Sequence, residues 1–168
     1  MAEQVQKEMT IYHFDDEAEL VSWVPDALFM RFEEEHPEWI DGEPTEEPLE
    51  THLKVEFVLR SPGGSVRVRY LLYSDAAAFE TEVQLGPEDL VVLDLMGPGP
   101  DGNLEEKGLT LLDHAIQKGV QRDRIYLLTA YPHTLEKTLN DRVDRKQILV
   151  KPPDAEGLIR ELVGKMKI

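Results

Sequence analysis

The sequence predicts an α/β domain built on a mainly parallel sheet, and two observations predict it. Short apolar runs that end abruptly in a polar residue recur at Thr10–Phe14, Leu90–Leu95, Ile125–Thr129 and Ile148–Val150. Segments with helical spacing lie between them, and strands that alternate with helices imply parallel pairing through crossovers. The length, 168 residues with 41% hydrophobic side chains, suits one domain with a real core, spanning 1–168.

The elements follow in chain order. Thr10–Phe14 reads as a buried strand that delivers Asp15, Asp16 and Glu17 to a sheet edge. Leu20, Val24, Ala27 and Leu28 then occupy one face of a helix, which Pro25 should kink or split, since it lacks an N–H and crowds the preceding turn. Residues 33–50 hold nine carboxylates and no Lys or Arg, together with Pro37, Gly42, Pro44 and Pro48. This composition reads as a solvated acidic loop over about 34–52. Leu53–Arg60 and Ser65–Tyr73 flank Ser61-Pro62-Gly63-Gly64 and form a hairpin, an insertion over 53–73. Arg67 and Arg69 alternate on one strand face, as on a solvated surface.

Ala76–Val83 reads as a short helix, and Leu90–Leu95 is the strongest buried strand, carrying Asp94 near its end. A Gly/Pro loop, expanded over 103–108, precedes a helix around Leu109–Lys118. After the strand Ile125–Thr129 comes a weaker helix with Leu135 and Leu139 on one face. Ile148–Val150 runs into Lys151-Pro152-Pro153, and a last helix capped by Asp154 buries Leu158, Ile159, Leu162 and Val163.

Charge and composition exclude several functions. The net charge of −16 argues against binding nucleic acid through its phosphates. Residues 1–115 carry 7 basic and 27 acidic groups, whereas 116–168 carry 11 and 7, so the last third is a mildly basic docking candidate. The absence of cysteine excludes disulfides, a thiol nucleophile and thiolate metal sites. No apolar leader is visible and no apolar run reaches the roughly 18 residues of a membrane span. The expectation is a cytoplasmic protein.

In parallel α/β sheets the functional crevice lies at the carboxyl ends of the strands. Asp15, Asp16, Asp94, Thr129 and Lys151 stand just there. Three carboxylates in one place repel unless a cation neutralises them, and Mg²⁺ suits an oxygen-only site. A hydroxyl from Thr129 and the ammonium of Lys151 beside that metal would complete a phosphoryl pocket, with Asp94 as nucleophile. Gly97-Pro98-Gly99-Pro100-Asp101-Gly102 matches G-x-G-x-x-G, but Pro98 and Pro100 supply no N–H for a pyrophosphate. The five histidines form no metal-binding spacing, and His13 reads as a core or strand-edge residue.

Taken in order, Phe14-Asp15-Asp16-Glu17, Asp94-Leu95-Met96-Gly97-Pro98-Gly99-Pro100-Asp101-Gly102, Thr129-Ala130 and Lys151-Pro152 resemble the motif set of a response-regulator receiver domain, the phosphoacceptor domain of two-component signalling. The resemblance implies a doubly wound, mainly parallel five-stranded sheet of flavodoxin-like, receiver type, with an extra β-strand or hairpin at one edge. It implies Asp94 as phosphoacceptor, Mg²⁺ held by Asp15, Asp16, Asp94 and the Met96 backbone carbonyl, and a phosphoryl group bound by Thr129, Ala130 and Lys151. The Lys151–Pro152 peptide would be cis. The implied role is a stand-alone receiver, not an enzyme beyond its own phosphorylation and dephosphorylation. It would be phosphorylated by a histidine kinase or phosphotransfer protein and would signal through a downstream protein or a homodimer. The alternative is a receiver-like interaction module that works without phosphorylation; a Mg²⁺-dependent phosphohydrolase ranks below both. Three departures stand out: the step of 79 positions from Asp15 to Asp94, the expanded loop after Gly102, and Ile148 where receivers often carry an aromatic.

Overall fold

The computed structural model describes residues 7–94, 106–129, 147–150 and 155–166. Strand β1 (Lys7–Phe14) leads through the short helix α1 (Ala18–Val21) into α2 (Val24–Glu35). A 3₁₀ turn (Pro37–Trp39) precedes β2 (Thr45–Pro48), β3 (His52–Ser61) and β4 (Gly64–Tyr73). Helix α3 (Ala76–Glu82), β5 (Leu90–Asp94) and α4 (Glu106–Gln117) follow. After a second 3₁₀ turn (Arg122–Arg124) come β6 (Ile125–Thr129), β7 (Ile148–Val150) and α5 (Ala155–Met166).

The seven strands among the described residues form one sheet in the order β2-β3-β4-β1-β5-β6-β7. It is mixed. The segment β4, β1, β5, β6, β7 is parallel, whereas β2–β3 and β3–β4 are antiparallel. The expected five-stranded, mainly parallel flavodoxin-like sheet is therefore corrected to seven strands of mixed direction. The physical reason is the outer edge of β3, ten residues long, whose backbone groups would stand unpaired at the sheet margin. Within the segment expected as an acidic loop, β2 pairs Thr45–Pro48 with Leu53–Glu56, and Ile40 bridges to Leu59. The new edge is four residues long, carries Glu46, Glu47 and Pro48, and is fully exposed, a composition that discourages further strand addition.

Pro25 splits the predicted helix rather than kinking it. It stands in the first turn of α2, where its missing N–H costs nothing. Helix α4 starts at Glu106, so residues 106–108 belong to the helix and not to a loop expansion. The predicted helix around Leu135 and Leu139, and the Asp154 cap, lie outside the described residues.

Each face of the sheet has its own core. Ile11, Val68, Tyr70, Val92 and Leu128 pack with Leu28, Phe29 and Phe32 of α2 and Leu158, Ile159 and Leu162 of α5. On the opposite face, Phe14, Tyr73, Val91, Leu93 and Leu127 pack with Phe79 of α3 and Leu111, Leu112 and Ala115 of α4. The central strand β5 is buried along its whole length, which explains its unbroken apolar run. Among the described residues, no helix is long and apolar enough to cross a membrane.

Candidate metal centre

The register of two strands builds the centre. β1 and β5 run parallel with Phe14 opposite Leu93, so the next residues, Asp15 and Asp94, stand level at the carboxyl edge. The Asp15 N–H donates to the Tyr73 carbonyl at 2.9 Å, which carries the β1–β4 ladder one residue past β1. The Glu17 N–H donates to Asp15 Oδ1 at 2.9 Å and so fixes that carboxylate in the turn that leads to α1. Asp15 and Asp94 are buried, at 0% and 3% exposure, while Asp16 faces solvent.

One carboxylate oxygen from each of Asp15, Asp16 and Asp94 lies within 4.8 Å of the other two. Mg²⁺ binds oxygens at about 2.1 Å, so ligands on opposite sides of one ion are about 4.2 Å apart. The three carboxylates therefore need only small side-chain adjustments to share an ion. The donor set is all oxygen, hard and anionic, and one carboxylate opens to solvent from which coordinated water can come. These residues fit Mg²⁺.

The neighbouring strand ends continue the same edge. Leu128 of β6 is opposite Asp94, and Thr129, the last residue of β6, is opposite Val150 of β7. The backbone thus places Thr129 at the edge that carries the carboxylates. Met96, Ala130, Lys151 and Pro152, with the Lys151–Pro152 peptide, lie outside the described residues.

Two features had no sequence signal. A cleft of about 470 Å³ opens beside the centre, lined by Asp16, Ser74, Asp75, Glu80 and Thr110 among others, so Asp16 belongs to both. Asp75 reaches it as the N-cap of α3, and Glu80 reaches it from farther along the same helix. The second feature lies beneath the carboxylates. His13 is fully buried, and its Nδ1 is 2.6 Å from the hydroxyl of Tyr70, a residue 57 positions away on β4. Burial, and secondarily the charge of Asp15, push the Tyr70 phenol well above its ordinary value, so it stays protonated.

No family model matches the sequence, and no curated protein does. Among solved structures the chain is similar to the G domain of the T. maritima FeoB iron transporter, at 13% identity over 97% of this chain and 100% of that chain, with a TM-score of 0.40. It is also similar to the cytosolic domain of the same transporter in GDP form II, at 14% identity over 97% of this chain and 64% of that chain, with a TM-score of 0.39. Likeness at this level carries neither a fold nor an activity. These two structures are the G domain and the cytosolic domain of an iron transporter, and no family model, a receiver's included, matches this sequence. With no family model behind it, the expectation of a stand-alone receiver with Asp94 as its phosphoacceptor, with its place in two-component signalling, is corrected and not carried further. So are the receiver-like interaction module and the expectation that the chain is not an enzyme.

Proposed function

We propose that the chain is a Mg²⁺-binding α/β domain that holds a phosphate-bearing ligand at the carboxyl edge of its sheet. The convergence of three carboxylates within 4.8 Å, two of them buried, carries this reading. Asp15, Asp16 and Asp94 would hold the ion, with the Met96 carbonyl next along the chain as a further oxygen ligand. When bound, Mg²⁺ supplies positive charge for a phosphate oxygen. Thr129, with the Ala130 backbone and Lys151, would supply a hydroxyl, an N–H and an ammonium to the remaining oxygens. The buried Asp15 and Asp94 side chains fix the ion's position, and the exposed Asp16 leaves that position open to solvent. The sequence contains no G-x-x-x-x-G-K-[ST], the loop that cradles nucleotide phosphates, so a guanine nucleotide is not the ligand proposed.

Calorimetric titration with Mg²⁺ tests the reading. Saturable binding of one ion per chain, abolished in Asp94→Asn and Asp15→Asn, is expected, with inorganic phosphate binding more tightly in the presence of the metal. Absence of saturable Mg²⁺ uptake by the wild-type protein would overturn it.

A further inference from the structure

The His13–Tyr70 pair is polar, fully buried and set in the apolar face that packs on α2 and α5. An apolar pair of similar volume would fill this space without the cost of removing two polar groups from water. The placement of the pair gives it a use. Tyr70 is opposite Ile11 in the β1–β4 register, yet its hydroxyl meets His13, two residues nearer the carboxyl end. The Tyr70 ring therefore leans along the strand toward the acidic edge, and the two rings meet edge-on with centroids 5.7 Å apart. Two residues beyond His13 is Asp15, tied to β4 again through its N–H on the Tyr73 carbonyl.

We propose that Tyr70 is a positioning residue for the carboxylate centre. Its hydroxyl fixes the His13 ring, and with it the end of β1 that presents Asp15 and Asp16 to Asp94. This inference rests on the Mg²⁺ reading above. A buried hydrogen bond between a phenol and an imidazole in a low dielectric is strong and directional, so it specifies the position of β1 against β4 in a way that an apolar contact does not. The field of Asp15 at the Tyr70 phenol indicates that the pair and the centre are electrostatically in touch.

The experiment compares Mg²⁺ affinity in the wild-type protein, Tyr70→Phe and Val68→Ala. Val68 is buried on the same face of β4, one step farther from the carboxylates, and serves as the packing control. Tyr70→Phe should weaken Mg²⁺ binding about tenfold, as loss of an outer-shell partner does, while Val68→Ala destabilises the fold and leaves affinity unchanged. A second readout needs no variant: the ring nitrogens of His13, followed by NMR in the wild-type protein, should shift with the same Mg²⁺ midpoint as calorimetry. A change in affinity below about twofold in Tyr70→Phe, or equal losses in both variants, overturns the inference. So does a His13 ring that ignores the metal. Failure of the wild-type protein to take up Mg²⁺ removes the metal reading itself, a result separable from all of these.

Discussion

Asp15 and Asp94 stand level at the ends of adjacent parallel strands although they are 79 positions apart in the chain, because Phe14 and Leu93 pair in the β1–β5 register. A slip of one residue would turn every side chain of β1 to the other face of the sheet, so the cores that bury Ile11 and Phe14 also enforce the acidic pair. Ligand linkage then makes a prediction about stability. An ion that binds only the folded state at a hundred times its Kd adds about 2.7 kcal/mol. Urea unfolding with and without saturating Mg²⁺ should show an increment of that order in the wild-type protein and none in Asp94→Asn.

The face opposite the His13–Tyr70 pair depends on Phe79. This fully buried ring meets Phe14 edge-on at 6.3 Å and Tyr73 at 5.6 Å, joining α3 to the ends of β1 and β4. Phe79→Ala removes both ring contacts and leaves a cavity directly behind the residues that precede the acidic edge. A loss of about 3–5 kcal/mol is expected in denaturant unfolding.

What the sequence makes legible follows from burial. Leu90–Leu93 could be read because β5 is buried on both faces, and such a strand must be apolar without interruption. The strand-end carboxylates were legible for the same reason, since a charge that abruptly ends an apolar run marks the sheet edge. β2 was not legible. Thr45–Pro48 has no buried residue and poor strand propensity, and it is a strand only because β3 offers a free edge thirty or so ångströms long, about 3.4 Å per residue over ten residues. The His13–Tyr70 contact spans 57 positions and two strands, and nothing near either residue announces the other.

His52 should give the protein a pH-dependent stability near neutrality. Its ring stacks on Tyr73 at 4.5 Å and its Nδ1 lies 3.0 Å from the Thr51 hydroxyl, whose own O–H donates to Glu82. Burial lowers its pKa from 6.5, outweighing the opposing charge of Glu82. The neutral ring is therefore favoured in the folded chain, and as pH falls below 6.5 the unfolded state binds the proton first. Stability is fully present above that value and is lost as pH falls from it toward the lower folded value. His52→Phe keeps an aromatic ring on Tyr73 but cannot titrate. Its unfolding free energy, measured across that window, should fall less steeply with acidification than that of the wild-type protein.

Gln147 sets the approach to β7. It is almost fully buried, and its Nε2 donates to the backbone carbonyls of Arg122, in the second 3₁₀ turn, and of Ile125, the first residue of β6. One amide thus joins the last two strands of the sheet at the end opposite the carboxylates. Gln147→Leu matches the volume but deletes both donors, and a loss of about 1–3 kcal/mol is expected. Gln147→Glu preserves the shape and replaces the donor by an oxygen that faces two carbonyl oxygens. At neutral pH it should cost more than the leucine, and the difference should narrow as acidification protonates the new carboxyl and restores a donor. Unfolding measured at both pH values for the two variants checks the order. A glutamate variant no less stable than the leucine variant at neutral pH would show that the two carbonyls do not need the amide.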